Sequence, residues 1–584
     1  MRARVVAVML TGAAAVGYGQ APQNAPGPGA GTAQLAGRVV DGTTRTPILD
    51  AVVSLGGRGG PPQRALVDDD GRFTFTGLPP GVFTLATNHA GYFGNGGAQR
   101  DPSPVARIVD LSGGQRVADL TLTLWKLGAI EGVVTADGDP LVGVEVRALR
   151  RTLLAGRWLL AGGATTSTDD RGRYRLSGLT PGDYVVVVRP DRDPEMPLLV
   201  SLLTLTPTAS ADVMAAASAR GSGVPERDSR VRTYQMAFFR DAASSTSATL
   251  VAIDVATDRR GIDAHVRSVK GARVTGRLSG LNGPAESVIV RLIRTDSTLE
   301  SDPLEAATAA CDSDGRFAFL NAPAGKFVVT LLSRPAAPPD PTWWARVPVT
   351  IGASDVSGLV VPVHSGVAVN GRVEFVGQAP RPTPGEIAQI APRLESADAP
   401  PVAGVPPWRA VVSADGHFTT TGVPPGRYFV RIANPPRGWT PAAVRIGRRD
   451  ALDVPLEVSS AAIADVVLTF ADRPLGGITG TVTDATGSPA SDAVVLIFPA
   501  VREPDLDTIG QTRRLRLVHS GTNGAFAVGG LADGHYLAVA LPSSPSIDWQ
   551  DPKRLDALAP HASAIDVQSG PPQSVALTVT VIRK

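Results

Sequence analysis

The 584-residue chain has a single cysteine, Cys311, so no intramolecular disulfide can form. Cys311 reads as a small buried strand residue, not as a reactive thiol. Lysine is almost missing: Lys126, Lys270, Lys326, Lys553 and Lys584 are the whole set. The formal net charge of +2 is close to zero for this length, which removes any general pull toward nucleic acid. Histidine is sparse and scattered: His89, His265, His364, His417, His519, His535 and His561. None of them forms an HxxE or HExxH pair, so a zinc peptidase has no ligand set here. A GxSxG nucleophile elbow is missing too. We therefore assign no catalytic residue, no cofactor and no metal site, and expect no enzyme. Helical periodicity is scarce. Beyond the N-terminus no run of about eighteen apolar residues appears, so no transmembrane segment is expected in the mature chain.

The N-terminus has the pattern of an export signal. Arg2 and Arg4 precede a short apolar stretch, Val5 to Val16, and Gly17 and Gly19 are small residues ahead of Gln20. Residues 1–19 read as a signal peptide, and 20–33, rich in Pro, Gly and Ala, as a flexible leader. The expected location is periplasmic, cell-surface or extracellular.

Glycine and proline are abundant, at 63 and 50 residues. Many of them belong to a phrase that occurs five times. It runs from Asp68 to Phe83 as DDDGRFTFTGLPPGVF, and returns at Asp169–Tyr184, Asp312–Phe327, Ser413–Tyr428 and Gly521–Tyr536. Each copy opens on a tight turn in which Gly accepts positive φ. Alternating apolar residues follow, as in Phe73 and Phe75, and period two places them on one sheet face. A turn rich in Pro and Gly leads to an aromatic that opens the next strand: Phe83, Tyr184, Phe327, Tyr428 or Tyr536. The spacing predicts strand, turn, strand, a central hairpin with aromatics such as Phe73 and Tyr428 in the core.

Each copy has an entry strand (around Gly37, Gly132, Gly276, Gly371 and Gly480), most have a second strand, and most an exit pair. About seven strands per roughly 100 residues fit one sandwich. The prediction is an all-β chain, a tandem array of five immunoglobulin/transthyretin-like seven-stranded β-sandwiches. The modules are placed at 34–126, 127–270 (with a long insertion near 191–230), 271–365, 366–474 and 475–584. With almost no linker between them, a rod of five beads is expected. Helix is expected only in the signal peptide and in the insertion, near 210–220.

Acidic turns such as Asp68-Asp69-Asp70 and Asp312-Ser313-Asp314 invite a calcium reading. No Glu closes either loop, and two copies keep one Asp or an Asn, so turn chemistry is the better account. The most suggestive side chains are aromatics in the loop after the phrase: Tyr92 and Phe93, Trp343 and Trp344, Trp439, and Trp549. An exposed indole can stack on a sugar face and offer an N–H donor. Trp343, Trp344, Trp439 and Trp549 are thus the candidate ligand-binding residues. The competing reading is that each covers the end of its own core or a joint. Trp158 and Trp408 are expected on strands facing the core.

GRVVD…DDDGRFTFTGLPPGVFTL and its repeats resemble the carboxypeptidase regulatory-like domain, a transthyretin-like or carbohydrate-binding-like fold. Larger blocks resemble secreted multi-module acidobacterial proteins, through Gly438-Trp439…Val444…Gly447 and Trp549-Gln550-Asp551-Pro552…Leu555…Leu558. A third such block is degraded here to Thr233-Tyr234-Gln235-Met236-Ala237. The resemblance implies a non-enzymatic scaffold or recognition protein of the cell envelope, with a polysaccharide or an envelope protein as partner. The alternatives it leaves open are polysaccharide binding through the loop aromatics, and an accessory part of a secreted hydrolase or transport system. Related adhesin modules carry lysine isopeptide crosslinks. Only Lys126 and Lys270 lie near an entry strand, so no general crosslinking is expected.

Overall fold

The structure, a computed structural model, describes residues 31–581 except 58–61, 95–106, 112–113, 155–156, 190–231, 243, 282–284, 286–287, 296–304, 334–341, 398–407, 448, 502–513, 522 and 544–550. The signal peptide, residues 20–30 of the leader, the insertion with its expected helix, and Trp549 lie outside the described residues.

The chain is all-β. The first repeat shows the plan. Its strands are β1 (Ala33–Asp41), β2 (Val52–Gly57), β3 (Gln63–Leu66), β4 (Arg72–Leu78), β5 (Gly81–Asn88), β6 (Tyr92–Gly94), β7 (Arg107–Leu111) and β8 (Arg116–Lys126). They form two sheets, β4-β1-β8-β6 and β3-β2-β5-β7. Entry strand β1 runs antiparallel to β4 and parallel to exit strand β8. The later entry strands, Gly128–Ala136, Ala272–Ser279, Val369–Val376 and Gly476–Thr483, make the same two kinds of pairing.

The recurring phrase is not a hairpin. Its first strand, β4, lies in one sheet and its second, β5, in the other, so the turn is an arch across the core. The other copies likewise pair their two strands with different partners. The physical reason is in the turn. In the first and fourth copies Pro79-Pro80 and Pro424-Pro425 are locked near −65°, where a two-residue hairpin needs positive φ. The fifth copy, Leu531-Ala532-Asp533-Gly534, arches without proline, so proline is not the general cause. The strained position falls instead on the following glycine, with φ between 152° and 158° at Gly81, Gly182, Gly325, Gly426 and Gly534.

The arch explains where the core sits. Alternation on β4 buries Phe73, Phe75 and Leu78, and the chain then crosses to bury Phe83 and Leu85 from the facing sheet. Five large apolar clusters result, drawn from residues 33–124, 130–266, 272–363, 367–470 and 478–577. Each buried aromatic or Leu contributes about 1.5–3 kcal/mol of transfer free energy. In the fourth repeat Trp408–Val412 pairs with both Ala391–Ser396 and His417–Thr420, which joins the two sheets into one nine-stranded path.

Two short helices fall outside the expected places. α1 (Pro384–Ala388) starts at a capping box, with Thr383 and Glu386 satisfying each other's backbone N–H. α2 (Pro552–Leu558) is capped by Asp551 and has Pro552 in its first turn. Its buried Leu555 and Leu558 pack on Val494, Leu496 and Phe498, on the outer side of the fifth repeat's sheet. No helix among the described residues is long and apolar enough to cross a membrane.

The expected rod is also corrected. The Thr123 hydroxyl at the end of the first repeat donates to Asp492 Oδ2 in the fifth at 3.0 Å. β8 ends at Lys126 and the next strand starts at Gly128, so each joint has little slack. The angle at a joint is set by packing, which strand patterns do not encode, and here the first and fifth repeats touch.

Candidate functional site

The acidic turns are held by their own carboxylates. Asp68 Oδ1 accepts the N–H groups of Asp70 (3.1 Å) and Arg72 (2.6 Å). Asp169 does the same for Arg171 and Arg173, and Asp312 for Asp314 and Arg316. In the fourth and fifth copies the acceptor is instead the residue just before the turn glycine: Asp415 accepts the N–H of His417 and Asn523 that of Ala525. The N–H of Arg173 is the main reason that Asp169 is held below the ordinary carboxylate range. These oxygens are engaged in folding the turn, as the turn-chemistry reading requires.

The aromatic that ends the phrase has a second task. Tyr184 Oη donates to the Thr180 carbonyl at 2.7 Å, Tyr428 to Pro424 at 3.0 Å and Tyr536 to Ala532 at 2.8 Å. Each hydroxyl ties the strand back to the arch that precedes it. Phe83 and Phe327 keep the ring and lack the tie.

The tryptophans are dispersed. Trp343 and Trp344 begin a strand, Trp343–Ile351, that pairs with Gly325–Ser333 and with His364-Ser365. Both are half-buried. Trp343 packs against the third core, while Trp344 lies tilted over His364 with ring centroids 5.1 Å apart. The pair sits at the joint to the fourth repeat, where Gly366 N–H donates to the Thr342 carbonyl at 2.7 Å. Trp344 Nε1 is buried without a hydrogen-bond partner among the described residues.

Trp439 is a core residue, only 5% exposed. It meets Phe375 edge-on at 4.9 Å, and its Nε1 donates to the Pro380 carbonyl at 3.3 Å. Neither face of this ring is offered to solvent. Trp408 is buried in the same core, as expected.

Trp158 departs from expectation in the opposite direction. It is 42% exposed, with the Arg151 guanidinium 4.2 Å from its ring centre. The register explains this. Trp158 pairs with Leu153 on the same side as Leu149, which belongs to a cluster outside the main core. Val146 and Ala148 hold the inner face. Four consecutive apolar residues, Trp158 to Ala161, hide that alternation in the sequence.

Tyr92 and Phe93 form β6, which covers the edge of β8 through Tyr92↔Lys126 and Phe93↔Trp125. Cys311 is buried, and burial pushes its thiol up to about 12, with Asp312 adding to the shift. Among the described residues no three His, Cys, Asp or Glu side chains converge as a metal site.

Among known protein families, one matches the first repeat. Residues 34–99 match the carboxypeptidase regulatory-like domain family. No curated protein matches the sequence. Similar solved structures include the Bacillus anthracis TIE protein, at 12% identity over 57% of this chain and 51% of that one, TM-score 0.16. The minor pilin GBS52 of Streptococcus agalactiae is 17% identical over 41% of this chain and 97% of its own, TM-score 0.21. The full-length RrgB pilus protein of Streptococcus pneumoniae is 10% identical over 78% and 98%, TM-score 0.15. This chain spans about half of the TIE structure, and superpositions this loose say nothing of function. The chain is a multi-module protein carrying a carboxypeptidase regulatory-like domain.

Proposed function

We propose that the protein is an exported, non-enzymatic scaffold of the cell envelope, built from five separate β-sandwich domains at 34–126, 127–270, 271–365, 366–474 and 475–584. The observation that carries this reading is how the repeated residues are used. The framing glycines shape turns and the phrase aromatics fill cores in all five copies, Asp68, Asp169 and Asp312 fold the first turn in three, and Tyr184, Tyr428 and Tyr536 tie the arch in three. Everything that recurs five times is engaged in building a stiff unit, and no recurring side chain is left over for chemistry. A protein or polysaccharide partner would then be met by what differs between repeats. Fractionation of the native cells, with protease treatment of intact and of permeabilised cells, tests the location. Recovery in the cytosol, protected from protease in both, would overturn it. Purified protein that cleaves peptides would overturn the non-enzymatic part.

One observation favours a second reading, glycan recognition. Trp158 presents an exposed indole beside Arg151. An indole face with a cation at its side suits a sugar ring carrying hydroxyls or a carboxylate. Trp343 and Trp344 stay in this proposal as half-buried rings at a joint, and Trp549 as a candidate outside the described residues. Trp439 lacks an accessible face. Retention on immobilised acidic polysaccharide, lost in Trp158→Ala, would support this reading; equal retention by both proteins would remove it.

A further inference from the structure

The contact between the first and fifth repeats is built from both sides. On β8, Leu120, Leu122 and Leu124 point into the first core, so Thr123 faces outward. An outward threonine on a lone sandwich meets water, yet Thr123 is only 3% exposed. What it meets is the carboxylate of Asp492, itself 7% exposed. The second oxygen of Asp492 lies 3.1 Å from His519 Nδ1, and His519 is buried as well. A carboxylate is withdrawn from water only where polar partners replace the hydration it loses. Here the hydrogen bond comes from a stretch 369 residues away, while His519 Nδ1 lies beside the carboxylate without making one.

The fifth repeat holds its half of the contact ready. Asp492 adopts φ of 61°, a left-handed conformation that Asp tolerates better than most residues. Its N–H donates to the Ser520 carbonyl, the next N–H, from Ala493, donates to Ser520 Oγ, and that hydroxyl donates to the Ala490 carbonyl. Ser520 is fully buried. The loop is thus fixed before docking, which lowers the entropy cost of contact.

Two edge strands lie beside this lock. β7 ends the sheet β3-β2-β5-β7, and Arg516–His519 ends the fifth repeat's sheet; the two run next to each other. An open edge is a template for pairing with another chain. We propose that the first and fifth repeats dock on each other within one chain, closing the array, with Asp492 as the residue that specifies the docking. Closure shields β7 and Arg516–His519 from other chains, and the occupant of each surface is the other end of the same molecule.

The scarcity of cysteine gives a clean test. The full-length double variant Thr123→Cys with Asp492→Cys, treated with a short bis-maleimide at low protein concentration, should form an internal crosslink. It should run as a compact monomer on a denaturing gel, while each single variant should not. A crosslinked dimer would assign the surfaces to a second copy and overturn the proposal. Because these substitutions alter the lock itself, small-angle scattering of the unaltered protein provides an independent readout. Five sandwiches in line, each about 26 Å along an eight-residue strand before loops are added, would exceed about 130 Å. A closed array should give a clearly shorter maximum dimension, and Asp492→Arg should lengthen it. A rod-like profile for the unaltered protein would overturn closure.

Discussion

Gly276 and Phe317 stand directly opposite each other across two antiparallel strands, and the ring lies where a side chain on Gly276 would have to go. A Cβ added there would fall 2.5 Å from the ring tip and 2.6 Å from the Leu359 carbonyl on the parallel exit strand. The same cross-strand pair occurs in every repeat: Gly37 with Phe73, Gly132 with Tyr174, Gly371 with Phe418, and Gly480 with Phe526. The missing side chain lets the aromatic fold over the entry strand while the exit strand closes in from the other side.

Gly276→Ala should therefore be costly although the change is one methyl. The atom in the way includes a backbone carbonyl, which cannot turn aside. Overpacking of this kind costs about 1–3 kcal/mol. Chemical denaturation should show that loss, with Gly352→Ala as the control, since nothing lies within 4 Å of an added Cβ there. Equal stability of the two variants would refute the pairing as a packing requirement.

That pair also shows how far the sequence could be read. The phrase, its turns and its period of two gave the strands and the core aromatics, because those follow from local geometry. The entry glycines were visible as a pattern, but their reason lies in a partner some 40 residues away. The arch was legible in principle in the first and fourth copies, since Pro-Pro cannot make a tight hairpin turn, and the hairpin expectation overlooked it. Helix α2 was also legible, from Asp551-Pro552 as cap and first turn. Trp158 was not, because its outward side depends on register within a continuous apolar run. Burial of Trp439 in its own core was one of the two readings the sequence left open, since the Pro and Arg around it fit a loop that either covers the core or presents the ring. The contact of Thr123 with Asp492 depends on the angles at several joints, and no local pattern carries those.

Acid should weaken the protein through carboxylates engaged by backbone N–H groups. Asp472 Oδ2 accepts the N–H of Gln378 at 2.6 Å and of Ala379 at 3.0 Å, which lowers its proton affinity in the folded state. Asp484, bound to Thr486 and Ser488, is lowered as well. A group lowered on folding stabilises fully above its unfolded value, about 4 for Asp. That contribution disappears as pH falls through the folded value. The melting temperature should therefore fall below pH of about 4 on their account. Asp472→Asn should show a shallower acid fall than the unaltered protein, measured by calorimetry across pH 2.5–7. Parallel curves would exclude Asp472 as a contributor.

Cys311 should report unfolding of the third repeat. Its thiol is buried and pushed up to about 12, so almost none is thiolate at neutral pH. Alkylation at pH 7.5 should be at least tenfold slower than for the same chain in denaturant. The rate should rise when Gly276→Ala loosens the surrounding core. Fast labelling of the native protein would place Cys311 at an accessible site.

Trp439 and Trp158 should separate packing from recognition. Trp439 fills the fourth core against Phe375, and its indole N–H is bonded to Pro380. Trp439→Ala should leave a cavity and lose about 3–5 kcal/mol of that repeat's stability. Trp158 stands at the rim, where its contact with Arg151 contributes about 0.5–1 kcal/mol. Trp158→Ala should thus shift the melting curve little. If glycans are bound, only the Trp158 variant should lose retention at a temperature where both variants are folded. The reverse outcome, retention lost with Trp439 while the melting curve stays in place, would mean that the Trp439 ring is presented to ligand after all. That would contradict its burial.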